Sequence, residues 1–412
     1  MTTTDLSAET TTAEAEAQHA DRRLWRVIVI LAWAQSVLGA MMPVHFILGG
    51  LAGALIAPNP ALATLPISIV VFFSMLSAPG LSLMMGRLGR RPGFLLAAAA
   101  GIGGLGLAGY AIEERSFTLF LIGSALIGVY MSGHNLYRFA AADIARPEVR
   151  PKAISYVMAG GLAAALIGPE VVQAFTDWRE PVPYAGAYYA MMLVAALGAA
   201  PLFLLEIPRP QPAAESAPAR PLRQVLGERR IQVAMVCAML AYTLMNLVMT
   251  STPLAMYACG FGTHEAAGVV QAHVLAMYAP SFFTGSLIAR YGASRVIVAG
   301  IGFFALGGAF AVEGIELWNF YAALIALGFG WNFAFIGATA MLSDALRPED
   351  RPRVQGINDF AVMGLVSLGS LSSGVLLAMV GWTAVQFAMV PMLTLAGGAL
   401  LWLWMHEGRA RA

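Results

Sequence analysis

Long runs of apolar side chains alternate with short polar turns along the whole chain. Apolar residues fill stretches near 25–47, 62–85, 94–112, 117–141, 153–173 and 184–205, and again near 231–257, 266–289, 296–312, 318–343, 354–380 and 383–405. A bilayer core takes ~20 helical residues to cross, and only a helix or a closed barrel satisfies its own backbone there. Each run therefore predicts one spanning helix, and the fold class is an all-α membrane protein with 12 transmembrane helices. The first helix follows Arg22, Arg23 and Arg26 and exceeds the core of a cleavable signal peptide, so it is expected to stay as an anchor.

Polar segments divide the chain. Residues 1–23, rich in Thr, Ala and Glu and without apolar periodicity, predict a disordered N-terminal tail. Residues 206–230 form the only long polar interior stretch, and their Pro, Ala and Arg content predicts a linker. The resulting units are a bundle over 24–205, the linker, a bundle over 231–405 and a C-terminal tail over 406–412. The two bundles repeat each other. Asp143-Ile-Ala-Arg-Pro-Glu-Val-Arg-Pro-Lys152 after the fourth run matches Asp344-Ala-Leu-Arg-Pro-Glu-Asp-Arg-Pro-Arg353 after the tenth, 201 residues on. Gly86-Arg-Leu-Gly-Arg-Arg91 after the second run matches Ala289-Arg-Tyr-Gly-Ala-Ser-Arg295 after the eighth, 203 residues on. Two matches in register with the span count imply duplication, and parallel six-span repeats mark a transporter architecture.

Charge supports the same count. Of the 24 Lys+Arg, 21 fall in the tails or in loops after even-numbered spans; Arg115 and Arg179 fall in the opposite loops and Arg138 within a span. The positive-inside rule then predicts cytoplasmic termini. Composition excludes alternatives: 59% of the 412 residues are hydrophobic and 11% charged, against about 25% charged in soluble domains. A net charge of +1 disfavours nucleic acid. Cys237 and Cys259 share one predicted helix, ~33 Å apart, too far for a bridge. No Cys/His cluster has metal-ligand spacing, no nucleophile–base set predicts an enzyme, and no cofactor is expected. Gly101-Ile-Gly-Gly-Leu-Gly106 fits a dinucleotide fingerprint literally, but within an apolar span it predicts helix packing.

These loops resemble those of the major facilitator superfamily, whose signature between spans 2 and 3 runs roughly G-x-L-x-D-R-x-G-R-R. Here the chain has Ser82-Leu-Met-Met-Gly86-Arg87-Leu-Gly89-Arg90-Arg91, and its second copy Gly285-Ser-Leu287-Ile-Ala289-Arg290-Tyr-Gly292; both lack the Asp. Gly160 with Gly168-Pro169 in span 5 looks like the glycine-proline motif of the drug and metabolite antiporters of that family, although the Gly pair that usually follows is replaced by Glu170, Val171 and Val172. The resemblance implies two six-helix bundles around a central cavity lined by spans 1, 4, 7 and 10. It also implies a conformational lock that includes Arg87, in which Arg90 or Arg91 meets Asp143, and Arg290 or Arg295 meets Asp344.

Polar residues inside spans mark candidate sites, since an ionised group costs roughly 2.5–3.5 kcal/mol at the bilayer centre. Tyr130, His134 and Arg138 recur at intervals of four in span 4 and predict one helix face, with Arg138 and His134 toward an anionic or polar group of a solute. Against this stands an interfacial Arg beside a packed His. Gln35, Asn246, Trp331 and Asn332 lie near mid-span in spans 1, 7 and 10, and His273 in span 8. Tyr130 and Trp331 correspond under the 201-residue shift, and a facing aromatic pair suits a planar organic ligand; ordinary core packing is the alternative. Two carboxylates could carry a coupling proton: Asp359, expected to be desolvated among Ile357, Phe360 and Val362, and Glu170, expected to be wet. Asp359 is favoured, with a brace toward Arg87 or Arg90 as its other reading.

The expected function is secondary active transport of a small organic solute by alternating access, proton-coupled and, from Gly168-Pro169, directed toward efflux. Uptake of a metabolite or vitamin and a non-transporting sensor of the same fold are the alternatives. The resemblance places the protein in a bacterial inner membrane as a monomer, with protons, solute and lipid as its partners.

Overall fold

In the computed structural model, residues 21–146, 149–207, 220–347 and 349–411 are described. Residues 1–20 of the predicted N-terminal tail and 208–219 of the predicted linker lie outside them, while Asp21–Arg23 already belong to the first helix. Eleven helices are long and apolar enough to span a membrane. In chain order, spans 1 to 7 are Asp21–Ile56, Pro60–Leu88, Arg90–Glu113, Phe117–Ala141, Tyr156–Phe175, Ala185–Leu204 and Arg229–Ala258. Span 8 is the bent pair Thr263–Tyr278 and Ser281–Tyr291, with 40° between its halves. Spans 9 to 12 are Ala293–Glu313, Leu317–Ala345, Arg353–Val380 and Trp382–Glu407. With the bent pair as one span there are twelve, as the apolar runs predict, and both termini reach the same face, called here the terminal face.

Boundaries match the hydrophobic pattern except in span 1, which continues past residue 47 to Ile56. Its glycines serve close packing. Gly50 meets Leu254 of span 7, and a Cβ at Gly53 would collide with the Ala63 carbonyl. Gly101, Gly104 and Gly106 likewise pack against Tyr130, the Gly123 carbonyl and Met192, so the literal fingerprint is a helix-packing surface. Residues 406–411 continue the last helix. Cys237 is buried in span 7 and Cys259 follows it, both as free thiols. At the far face Arg179 pairs with Glu113 at 2.9 Å, which satisfies one of the two basic residues of that side.

Three spans break in mid-course. Span 1 loosens at residues 38–40, where Gly39 N–H bonds the Ala34 carbonyl at 3.3 Å. Span 4 breaks at Asn135 and Leu136. Span 8 bends at Ala279 and Pro280, because proline cannot donate to the helix ladder. Freed backbone at membrane depth is tolerated where it is covered by protein or lines a cavity.

Candidate functional site: a central cavity between the bundles

The three breaks converge on one cavity. Its empty space, open mouth and solvent included, is about 730 Å³. The first bundle contributes Gln35, Gly39 and Phe46 from span 1, Met131, His134 and Asn135 from span 4, and Gly161 and Ala164 from span 5. The second contributes Tyr242, Met245, Asn246 and Met249 from span 7 and Val274, Met277 and Tyr278 from span 8. Gly39, Asn135 and Tyr278 flank the breaks, so the irregular backbone lies at the depth where a solute would sit.

The two walls differ in chemistry. On the second bundle, Tyr242 and Tyr278 meet Trp331 edge-on at 5.7 and 6.2 Å between ring centroids, and Trp331 stacks on Phe335 at 5.2 Å. These rings make a stiff aromatic wall. On the first bundle the polar groups are Gln35, His134 and Asn135. Five methionines, Met42, Met131, Met245, Met249 and Met277, fill the remainder with adaptable apolar surface. Among the described lining residues none is Lys, Arg, Asp or Glu.

Of the residues expected at the site, Gln35, His134 and Asn246 line the cavity. Tyr130 is buried against Gly101 and beside His134, 5.6 Å between rings. Trp331 stands behind Tyr242 and Tyr278. This pair therefore does not face itself across the cavity; the rings that do the lining are Phe46, Tyr242 and Tyr278. Asn332 is fully buried, donating to the Met277 carbonyl at 2.6 Å and to Ser281 Oγ at 2.7 Å, and accepting from Thr284 Oγ1. It ties down the bend of span 8. His273 Nδ1 donates to the Leu324 carbonyl at 2.7 Å and holds span 8 to span 10. His45, which the sequence did not mark, bonds Tyr188 at 3.1 Å within the first bundle.

Span 4 does not carry its stripe on one continuous helix, because the break at Asn135 and Leu136 separates His134 from Arg138. The side chains of Arg138 and Asp143 lie outside the described residues. Asp359 is exposed on the protein surface of span 11, with Phe360 beside it 59% exposed. Glu170 is likewise exposed on the protein surface. Gly160 packs on the Ala32 carbonyl and Ser36, and Gly168 on Ala40 and Pro43, so this motif joins span 5 closely to span 1, while Pro169 beside them is buried.

Contacts between the bundles run from mid-depth to the far face. Gly364 meets Met75, Ser68 Oγ donates to Ser370 Oγ at 3.0 Å, and Thr64 Oγ1 donates to the Ser370 carbonyl at 3.5 Å. A Cβ at Gly374 would collide with Thr64 Oγ1, so span 11 reaches this seal only through a glycine. At the terminal face Arg87, Arg91, Arg295 and Asp344 are exposed, and Arg290 lies over the Tyr291 ring at 5.2 Å. Arg90 is half-buried with Nη1 3.9 Å from Met85 Sδ. Among the described residues no ion pair joins Asp344 to Arg290 or Arg295. The cavity is thus sealed toward the far face and opens toward the terminal face.

Twelve spans in two repeated bundles around a midplane cavity are the architecture of a secondary transporter. The family model of the Major Facilitator Superfamily matches residues 24–280 and 234–412, and the chain belongs to that family. It is 38% identical over 372 residues to the riboflavin transporter RfnT of Brucella anthropi, covering 90% of this chain and 94% of that protein. It is also 28% identical over 384 residues to the uncharacterized MFS-type transporter YddS of Bacillus subtilis, 88% and 87% of the two chains. A second protein of that organism, the uncharacterized MFS-type transporter YdeG, is 28% identical over 374 residues, 86% of each chain.

Proposed function

We propose that this protein carries a neutral, planar, riboflavin-like solute across the membrane by alternating access of its two bundles, with the terminal face cytoplasmic. The observation that carries the reading is the cavity's asymmetry: an aromatic wall of Tyr242 and Tyr278 opposite the polar groups Gln35, His134 and Asn135, with no formal charge on the described lining. A fused heteroaromatic ring stacks on the first wall and hydrogen-bonds along its edge to the second. The name of the Brucella anthropi relative supports a flavin vitamin as that solute. Gly160 and Gly168 are accounted for by packing on span 1, which leaves the efflux reading of that motif without support. The basic loops on the terminal side support cytoplasmic termini.

Flavin fluorescence is quenched by stacking on aromatic side chains, so titration of riboflavin with purified protein reads this site directly. Saturable quenching is expected with riboflavin. Riboflavin 5′-phosphate should compete poorly, because no Lys or Arg is among the described lining residues and a buried phosphate without a cationic partner is costly. Absence of saturable quenching, or equal competition by the phosphate, would overturn the reading.

A further inference from the structure

We propose that the solute site is wired to the far-face seal by a chain of hydroxyl groups, with Asn246 as the residue that couples them. Asn246 lines the cavity, and its Oδ1 accepts from Thr250 Oγ1 at 3.2 Å one helical turn away. Thr250 Oγ1 lies 3.5 Å from Ser370 Oγ of span 11, and Ser370 Oγ accepts from Ser68 Oγ of the first bundle at 3.0 Å. Asn246, Thr250, Ser370 and Ser68 are all at least 95% buried, so these groups have little water to turn to.

Proton counting makes the chain directional. Each hydroxyl owns one proton, and Ser68 Oγ reaches both Ser370 Oγ at 3.0 Å and the Thr64 carbonyl at 3.3 Å. With that proton on the shorter contact to Ser370, Ser370 donates to Thr250 and Thr250 to the Asn246 carbonyl oxygen. With that oxygen held toward Thr250, the other end of the amide, its N–H₂ donor, is the group Asn246 turns to the cavity. A solute carbonyl accepting from it fixes the amide in the orientation that receives the chain, and so favours the state in which Ser68 and Ser370 bridge the bundles. A group that binds at mid-depth thereby biases a seal lying further along spans 7 and 11, and chains of hydrogen bonds reinforce one another in a dry interior. This rests on the transport reading above for the solute's chemistry, but not for the seal itself.

The test measures the distance across the far face between spin labels on native Cys259 and on Leu55→Cys, in a Cys237→Ala background. Thr250→Val keeps the side chain's shape and deletes the hydroxyl, whereas Thr250→Ser keeps the hydroxyl. Without solute, Thr250→Val should raise the open-to-sealed ratio about fivefold, the worth of one ordinary hydrogen bond, and Thr250→Ser should behave as the parent does. Saturating riboflavin should raise the sealed fraction of the parent and of Thr250→Ser but not of Thr250→Val. An unchanged ratio in Thr250→Val, or an equal riboflavin response in all three proteins, overturns the coupling. A shifted ratio in Thr250→Val with no riboflavin response in the parent supports the seal's chain and counts against the flavin reading instead.

Discussion

Tyr242 illustrates what a single side chain does here: its ring lines the cavity while Trp331 and Phe335 hold it from behind, at 5.7 and 5.1 Å between centroids. Removing the ring takes away a stacking surface worth about 0.5–1.5 kcal/mol beyond its area. Tyr242→Ala is expected to weaken riboflavin binding about tenfold in a fluorescence titration, and Tyr242→Phe to leave it within about twofold. At the terminal face, Asp350 is the residue-scale feature with a pH signature. Arg220, at the end of the linker, donates to it through both Nε at 2.7 Å and its backbone N–H at 3.0 Å, and also bridges Glu228. The hydrogen bond from Arg220 holds the Asp350 carboxyl below the usual carboxylate range. A depressed folded-state value stabilises the fold above the unfolded value of ~3.9 and ceases to do so as pH falls through the folded value. Asp350→Asn should therefore lower the thermal midpoint at neutral pH, with the gap to the parent closing as pH falls below about 4. The repeat makes the contrast visible, since the matching position in the first bundle is Val149.

At the scale of elements, hydropathy made the spans legible, because a bilayer demands a near-continuous apolar run and the loops between runs carry the charge. The breaks in spans 1, 4 and 8 were not legible: Gly39 and Asn135 look like many other small or polar residues in such helices. Site residues divide the same way. Gln35, His134 and Asn246 stand out as polar within apolar runs, whereas Tyr242, Tyr278 and the cavity methionines have no contrast with lipid-facing neighbours. Ser68, Thr250 and Ser370 escape for a related reason, since a Ser or Thr can bond its own helix and so marks nothing. Asn332 shows the opposite error, a mid-span polar residue that serves the bend of span 8 rather than a solute. Asn332→Ala leaves the Met277 carbonyl and the Ser281 hydroxyl short of a partner, while Thr284 Oγ1 keeps the Pro280 carbonyl at 2.8 Å, and one buried group without a partner costs about 1–3 kcal/mol. Thermal unfolding of this variant should show a clear loss of stability; an unchanged midpoint would mean that the bend is held by Pro280 alone.

At the scale of the molecule, under the proposed alternating access, the sealed far face and open terminal face are one end state of a cycle. Asp359 is exposed at the open side, and the opposite end state closes that side over it. As a proposal for proton coupling, Asp359→Asn should abolish accumulation driven by a pH gradient while sparing solute exchange; a variant that still concentrates solute makes Asp359 a brace. Exchange itself is the process the two-walled cavity exists to support. Counterflow in proteoliposomes preloaded with unlabelled riboflavin tests this most directly, because it requires both faces to open in turn and needs no knowledge of the coupling ion. Transient accumulation of external labelled riboflavin, unaffected by excess riboflavin 5′-phosphate, is the expected result. Label uptake no greater than in protein-free liposomes would contradict it.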